Sequence, residues 1–191
     1  MGIPNILSVC RILLIPVFLW VYLAADAPGG FLLAACILLA SGLTDLLDGW
    51  IARRFHMVTA LGRVLDPLAD KLTQAAVCTA LAIRYPQLAF LLVVFILKEL
   101  LMLIGGFRLL RKNRDIAGAR WFGKLYTFVF YAITLFVVGY QGLSEQAVFW
   151  LLVVAAGFMV FSFAMYIPVF LRLSRKPSAT GKEGASAEKR G

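Results

Sequence analysis

Six apolar stretches, each of about 20 residues, follow one another along the chain with only short polar breaks between them. A segment of that length in lipid has no water to satisfy its backbone N–H and C=O groups, so it must bond them internally. The strand alternation that a barrel would require is absent from every stretch. Helices are therefore expected over Ile6–Ala25, Phe31–Arg54, Leu61–Ile83, Leu88–Leu110, Phe122–Tyr140 and Ala147–Leu173. The breaks "DAPGG", "RYP" and "QGLSE" carry the Gly, Pro and charge that end helices. The hydrophobic share is 62%, against roughly 45–50% for soluble domains. The expected fold class is an all-α integral membrane protein with six transmembrane helices. Residues 1–174 would form one membrane domain. Residues 175–191, "RKPSATGKEGASAEKRG", are small, polar and charged, and read as a basic disordered tail. The first stretch lacks a basic leader and is interrupted by Arg11, so it is expected to be a retained span and not a signal peptide.

The net charge is +9. Basic residues gather in the links after spans two and four and in the tail. The links after spans one and five hold none, and the link after span three holds only Arg84. That is the distribution of the positive-inside rule, and it places both termini in the cytoplasm with no call for nucleic acid as partner. Cys10, Cys36 and Cys78 stand far apart inside apolar stretches and are expected to be buried free thiols.

Against this background, "TDLLDGWIARRFHMVTALGRVLDPLAD" (44–70) places four aspartates and three arginines at the junction of spans two and three. Asp45 and Asp48 are three residues apart and share one helix face; Asp66 and Asp70 are four apart and share another. The short link "RFHMVTA" suggests that the two helices are antiparallel neighbours, so the two pairs converge. One ionised residue within a span costs roughly 2.5–3.5 kcal/mol, and four carboxylates repel one another besides. Hard divalent ions such as Mg²⁺ or Mn²⁺ would resolve both costs. Four carboxylates suffice for two ions, an arrangement used in phosphoryl transfer. Salt bridges to Arg53, Arg54 and Arg63 are the simpler alternative. Gly49 and Ala52 follow Asp45 on its own face, and Gly62 precedes Asp66 by four residues. Such small residues leave room for a diphosphate or, equally, for close helix packing. Arg53 offers a planar fork for phosphate. A transporter or cation-binding protein would account for the carboxylates, but not for these small residues at their spacings.

The pattern Asp45-x₂-Asp48-Gly49-x₂-Ala52-Arg53-x₈-Gly62-x₃-Asp66-x₃-Asp70 resembles, position for position, the signature of the CDP-alcohol phosphotransferase family. The resemblance implies a six-helix membrane enzyme, typically a homodimer, that transfers a phosphatidyl or related group from a CDP-linked donor to an alcohol and releases CMP. It implies that Asp45, Asp48, Asp66 and Asp70 hold two divalent ions, Mg²⁺ or Mn²⁺, and that Asp70 also serves as general base. Asp45, Gly49, Ala52, Arg53 and Gly62 would receive the CDP donor. The implied setting is a bacterial cytoplasmic membrane with the site facing the cytoplasm.

Within the family, "IPNILSVCRILLIP", with Pro4, Asn5 and Arg11, and "DPLADK", with Pro67 and Lys71, resemble the phosphatidylglycerophosphate synthase branch. Its donor is CDP-diacylglycerol and its acceptor sn-glycerol 3-phosphate. "DPLADK" is shared with cardiolipin synthases, which take phosphatidylglycerol and form the alternative. "WFGK" with Thr127 is similar to a Gly-Lys-x-Lys-Thr stretch of the glycerophosphate enzymes, except that Tyr126 stands where the second Lys is expected. Lys98 of "KELLMLIGGFR" stands where an Arg-Glu pair has its Arg, and Arg108 falls at a different spacing. A phosphorylated acceptor needs cations, for which Lys71, Lys98, Arg108, Arg120 and Lys124 are the candidates. Lys98 could equally sit in an internal ion pair with Glu99 or a site carboxylate, and Arg108 could snorkel at the interface.

Overall fold

The computed structural model describes residues 3–54, 62–110 and 121–175. These form six α-helices: α1 (Ile3–Leu23), α2 (Pro28–Arg54), α3 (Gly62–Arg84), α4 (Ala89–Leu110), α5 (Trp121–Gly139) and α6 (Glu145–Arg175). A single 3₁₀ turn, Pro86–Leu88, leads into α4. Every helix falls on one of the expected stretches. The starts differ by a few residues because local chemistry sets them. Pro28 opens α2, a position where its missing N–H costs nothing. Ser144 caps α6 by accepting the Ala147 N–H at 3.2 Å on its Oγ. The expected tail lies outside the described residues, apart from Arg175 at the end of α6.

Five helices are long and apolar enough to cross a membrane, and α3 is the exception. It is 23 residues long, but Asp66, Asp70, Lys71 and Arg84 break its apolar character. The bundle is inverted relative to a soluble protein. Leu13, Trp20, Leu103 and Phe128 stand well exposed, whereas Ser8, Arg11, Gln74, Lys98 and Thr134 are buried. Outward apolar side chains with polar groups inside are what lipid as solvent selects. Cys78 is a buried free thiol as expected, but Cys10 and Cys36 lie on the exposed apolar surface.

The main helix contacts form a circle: α1 on α2, α2 on α5, α5 on α6, α6 on α4, α4 on α3 and α3 on α1. The expectation of α2 and α3 as direct neighbours is modified. Among the described residues their principal partner is shared, with α1 packed against both. The reason is polar: α1 carries the groups that bind the carboxylates of each.

At the end of the bundle opposite the aspartates, Tyr22 stacks on Phe18 and meets Phe31 edge-on. The Arg84 guanidinium lies 4.2 Å from the Phe31 ring centre, a cation–π contact that keeps a terminal charge at the apolar wall. Small residues let α2 and α5 approach closely. A Cβ added at Gly139 would lie 3.0 Å from the Ala35 Cβ. Gly139→Leu should therefore force α2 and α5 apart and destabilise the bundle by about 1–3 kcal/mol, seen as a lower thermal unfolding midpoint in detergent. Gly157→Ala, at a position with open space around it, should leave the midpoint unchanged or raised.

Candidate active site

Three of the four aspartates are described with their side chains, and α1 reaches two of them. The Ser8 hydroxyl donates to Asp66 Oδ1. The Arg11 guanidinium pairs through Nη1 with Asp45 Oδ1. The Arg11 side chain is 1% exposed and that of Asp45 is 44% exposed, so the pair extends from the bundle interior to an open side of the cluster. Asp45 is within electrostatic reach of both Asp66 and Asp70. Of the arginines weighed as alternative partners of the aspartates, Arg53 and Arg63 have side chains outside the described residues. The observed partner is Arg11, 34 residues away in sequence. Its one sequence signal was a full charge inside an apolar run.

Asp70 is held from both sides. Gln74 Nε2 donates to its Oδ2 at 2.9 Å. The Tyr131 hydroxyl donates to its Oδ1 at 3.2 Å. Gln74 in turn accepts a hydrogen bond on Oε1 from the Tyr126 hydroxyl at 2.9 Å. Gln74 and Tyr131 did not stand out in the sequence, and Tyr126 did so only as a departure from the Gly-Lys-x-Lys-Thr stretch. Gln74 is one turn beyond Asp70 on α3, which is a legible spacing; the tyrosines arrive from α5 and leave no local trace.

Glu99 on α4 gathers two of the candidate cations. Lys71 Nζ is 2.8 Å from its Oε1 and Lys98 Nζ is 2.5 Å from the same atom. The Lys98 side chain is 7% exposed and that of Lys71 is 40% exposed. Lys98 also lies 4.5 Å from the centre of the Tyr126 ring. The internal ion pair considered for Lys98 is thus present, and its partner is Glu99. The two positions that departed from the glycerophosphate pattern, Lys98 and Tyr126, are in contact with each other.

The remaining candidates are placed as follows. Asp48, Gly49, Ala52 and Arg53 lie on α2 within its last two turns, and their side chains are outside the described residues. Gly62 is buried at the first position of α3. Arg108 belongs to α4 with its side chain outside the described residues, and Arg120 is itself outside them. Lys124 is exposed on α5. Among the described residues no three metal-binding side chains are drawn together tightly enough to hold an ion. Donor chemistry nevertheless fits a hard cation. Asp45 is a carboxylate in electrostatic reach of the Asp66 and Asp70 carboxylates, and oxygen-only ligation suits Mg²⁺ or Mn²⁺.

Residues 1–161 match the family model described as CDP-alcohol phosphatidyltransferase. The chain is 35% identical over 141 residues to a cardiolipin synthase (CMP-forming) of Streptomyces coelicolor, covering 71% of this chain and 65% of that protein. It is 39% identical over 71 residues to a CDP-diacylglycerol–glycerol-3-phosphate 3-phosphatidyltransferase of Rickettsia bellii, covering 37% of this chain and 39% of that one. A Bacillus subtilis protein of the same name is 32% identical over 138 residues, covering 66% of this chain and 70% of its own length. The match thus spans less than two thirds of the first two relatives. An all-helical bundle with aspartates gathered at one end defines a membrane protein built around an acidic polar centre. The chain belongs to the CDP-alcohol phosphatidyltransferase family.

Arg11 is the cation that Asp45 meets directly. Arg11→Met should leave that carboxylate facing Asp66 and Asp70 with its guanidinium gone. Breaking a fully buried pair costs about 3–5 kcal/mol, and the half-exposure of Asp45 should bring the loss to about 3 kcal/mol. Ser8→Ala removes one hydrogen bond to a charged group and should cost about 1.5–3 kcal/mol. Chemical unfolding in mixed micelles checks both values.

Proposed function

We propose that this chain is a phosphatidyltransferase that uses CDP-diacylglycerol and sn-glycerol 3-phosphate to make phosphatidylglycerophosphate and CMP. The observation that carries the choice of acceptor is the pair of lysines on Glu99. Lys71 and Lys98 bring two cations against one carboxylate, a local excess of positive charge, and Lys71 is the residue next to Asp70 in α3. A phosphorylated acceptor calls for that excess, whereas a lipid acceptor calls for a wide lateral opening. The names of the Bacillus and Rickettsia relatives are in keeping with this reading.

In this mechanism Asp45, Asp48, Asp66 and Asp70 would hold two divalent ions, Mg²⁺ or Mn²⁺. When bound, such ions neutralise the diphosphate and stabilise CMP as a leaving group. Gly49, Ala52 and Gly62 would leave room for the cytidine diphosphate against the helix backbones, with Arg53 on its phosphates. Lys71 would orient the acceptor phosphate. Asp70, steadied by Gln74 and Tyr131, would take the proton of the acceptor hydroxyl. The hydroxyl oxygen then bonds to the phosphatidyl phosphorus as the diphosphate P–O bond breaks and CMP departs.

The proposal includes α3 as a sixth span, its polar first turns turned toward the site and shielded from lipid by α1 and α4. It also includes both termini on the cytoplasmic side of a bacterial cell membrane, following the basic links, and a homodimer, following the family resemblance. The name of the Streptomyces relative and the tyrosine at position 126 favour a second reading, in which phosphatidylglycerol is the acceptor and cardiolipin the product.

CMP release by the purified protein with CDP-diacylglycerol and Mg²⁺ or Mn²⁺, each acceptor offered singly, separates these readings. Release is expected with glycerol 3-phosphate and should fall by at least about 10²-fold in Asp70→Asn. Lys71→Ala should raise the acceptor KM about tenfold or more, the loss of one charge-assisted contact. Release with phosphatidylglycerol alone would establish the second reading.

A further inference from the structure

The groups around Asp70 and those around Lys71 belong to one circuit. From Asp70 it passes to Gln74 at 2.9 Å and from Gln74 to the Tyr126 hydroxyl at 2.9 Å. From the face of Tyr126 it passes to Lys98 at 4.5 Å, then to Glu99 at 2.5 Å, and back to Lys71 at 2.8 Å. Three helices contribute: Asp70, Lys71 and Gln74 from α3, Lys98 and Glu99 from α4, and Tyr126 from α5. Tyr126 is the joint, 3% exposed. Its edge donates a hydrogen bond toward Asp70, and its face receives the ammonium of Lys98, the two modes that a phenol ring offers in perpendicular directions.

The direction of the hydrogen bonds is fixed by chemistry. An ionised carboxylate only accepts, so Gln74 must turn its NH₂ to Asp70. Its carbonyl oxygen then faces Tyr126, which must donate. Without the phenol, the Gln74 amide loses the partner that keeps its NH₂ aimed at Asp70. Nothing in that chain of bonds touches Lys98, which meets Tyr126 through the ring and pairs with Glu99 on its own helix.

We infer that Tyr126 is a positioning residue with two separable duties: its hydroxyl aims the Asp70 carboxylate through Gln74, and its ring seats Lys98, and with it the Glu99–Lys71 pair, for the acceptor. Asp70 and Lys71 enter here in the roles proposed above. The two duties predict different kinetic signatures. Loss of the hydroxyl disturbs the group that takes the proton and leaves the acceptor cations in place. Loss of the ring disturbs both.

The test is steady-state CMP release by the full chain in detergent, with saturating CDP-diacylglycerol and varied acceptor. Tyr126→Phe and Gln74→Leu should each lower kcat about tenfold, Gln74→Leu by removing the hydrogen bond to the Asp70 carboxylate and Tyr126→Phe by releasing the amide that makes it, with the acceptor KM unchanged. The double variant should be no slower than either single one, because both cut the same chain of bonds. Tyr126→Leu should lower kcat likewise and also raise the acceptor KM. Calorimetric titration with glycerol 3-phosphate gives a readout independent of turnover, with affinity unchanged in Tyr126→Phe and weakened in Tyr126→Leu. Where Tyr126→Leu does not fold, Lys98→Met takes its place and should weaken binding in the same way.

A Tyr126→Phe variant with wild-type kcat, or single effects that multiply in the double variant, would overturn the first duty. Unaltered affinity in Tyr126→Leu, or in Lys98→Met where that stands in, would overturn the second. If the wild-type protein turns over phosphatidylglycerol alone, the choice of acceptor above fails, and the kcat and KM comparison is then made with that lipid and decides both duties.

Discussion

The rest of this bundle depends on the polar attachment of α1 to its two neighbours. Carboxylates within a membrane bundle are costly unless each is bound, and α1 binds one from each side. Arg11 takes Asp45 of α2, and Ser8 takes Asp66 of α3. These bonds let two acid-bearing helices stand near each other without being pressed together. They also explain why α1, which carries none of the eight signature residues, packs against both helices that do. The spacing of α2 and α3 is thereby set by a helix between them.

A second polar system, independent of the first, fixes the far side of Asp70. Gln74 and Tyr131 hold its two oxygens, and Glu99 holds the lysines. Buried polar networks of this kind are costly when incomplete and specify a single arrangement when satisfied. Here the two systems meet at the aspartates from opposite directions, α1 on one side and α4 with α5 on the other. The aspartates' own helices set their spacing, while their side-chain orientation is set by α1 and α5 together with Gln74 of α3.

That division explains what could be read from the sequence. The six helices were legible because hydropathy and breaker residues act locally, and their ends shifted by a few residues, as where Pro28 and Ser144 set the first turn. The aspartate pairs were legible because i+3 and i+4 spacing is a property of one helix. The adjacency of α2 and α3 was inferred from a short link, and link length says nothing of a third helix that carries the right polar groups. Arg11 announced itself as a charge in an apolar run, but its partner lies 34 residues on. Tyr131 gave no signal and Tyr126 only a departure from a family pattern, since an aromatic residue in a membrane helix reads as packing until its hydroxyl is seen to have a carboxylate or an amide to bond.

The circular order of helix contacts bears on how the protein is made. Taken in the order of synthesis, α1 to α5 give main packing contacts that run α5, α2, α1, α3, α4, with Lys98 against the Tyr126 ring as a side-chain contact between the two ends. Helix α6 packs along both ends, on α4 and on α5. Of the six described helices α6 is the last to be made, and it closes the circle of helix packing. Until Glu145–Arg175 has entered the membrane, α4 with Lys98 and α5 with its tyrosines lack the helix that packs along both of them, and a nascent chain stopped short of it carries all eight signature residues on a bundle whose helix packing has not closed.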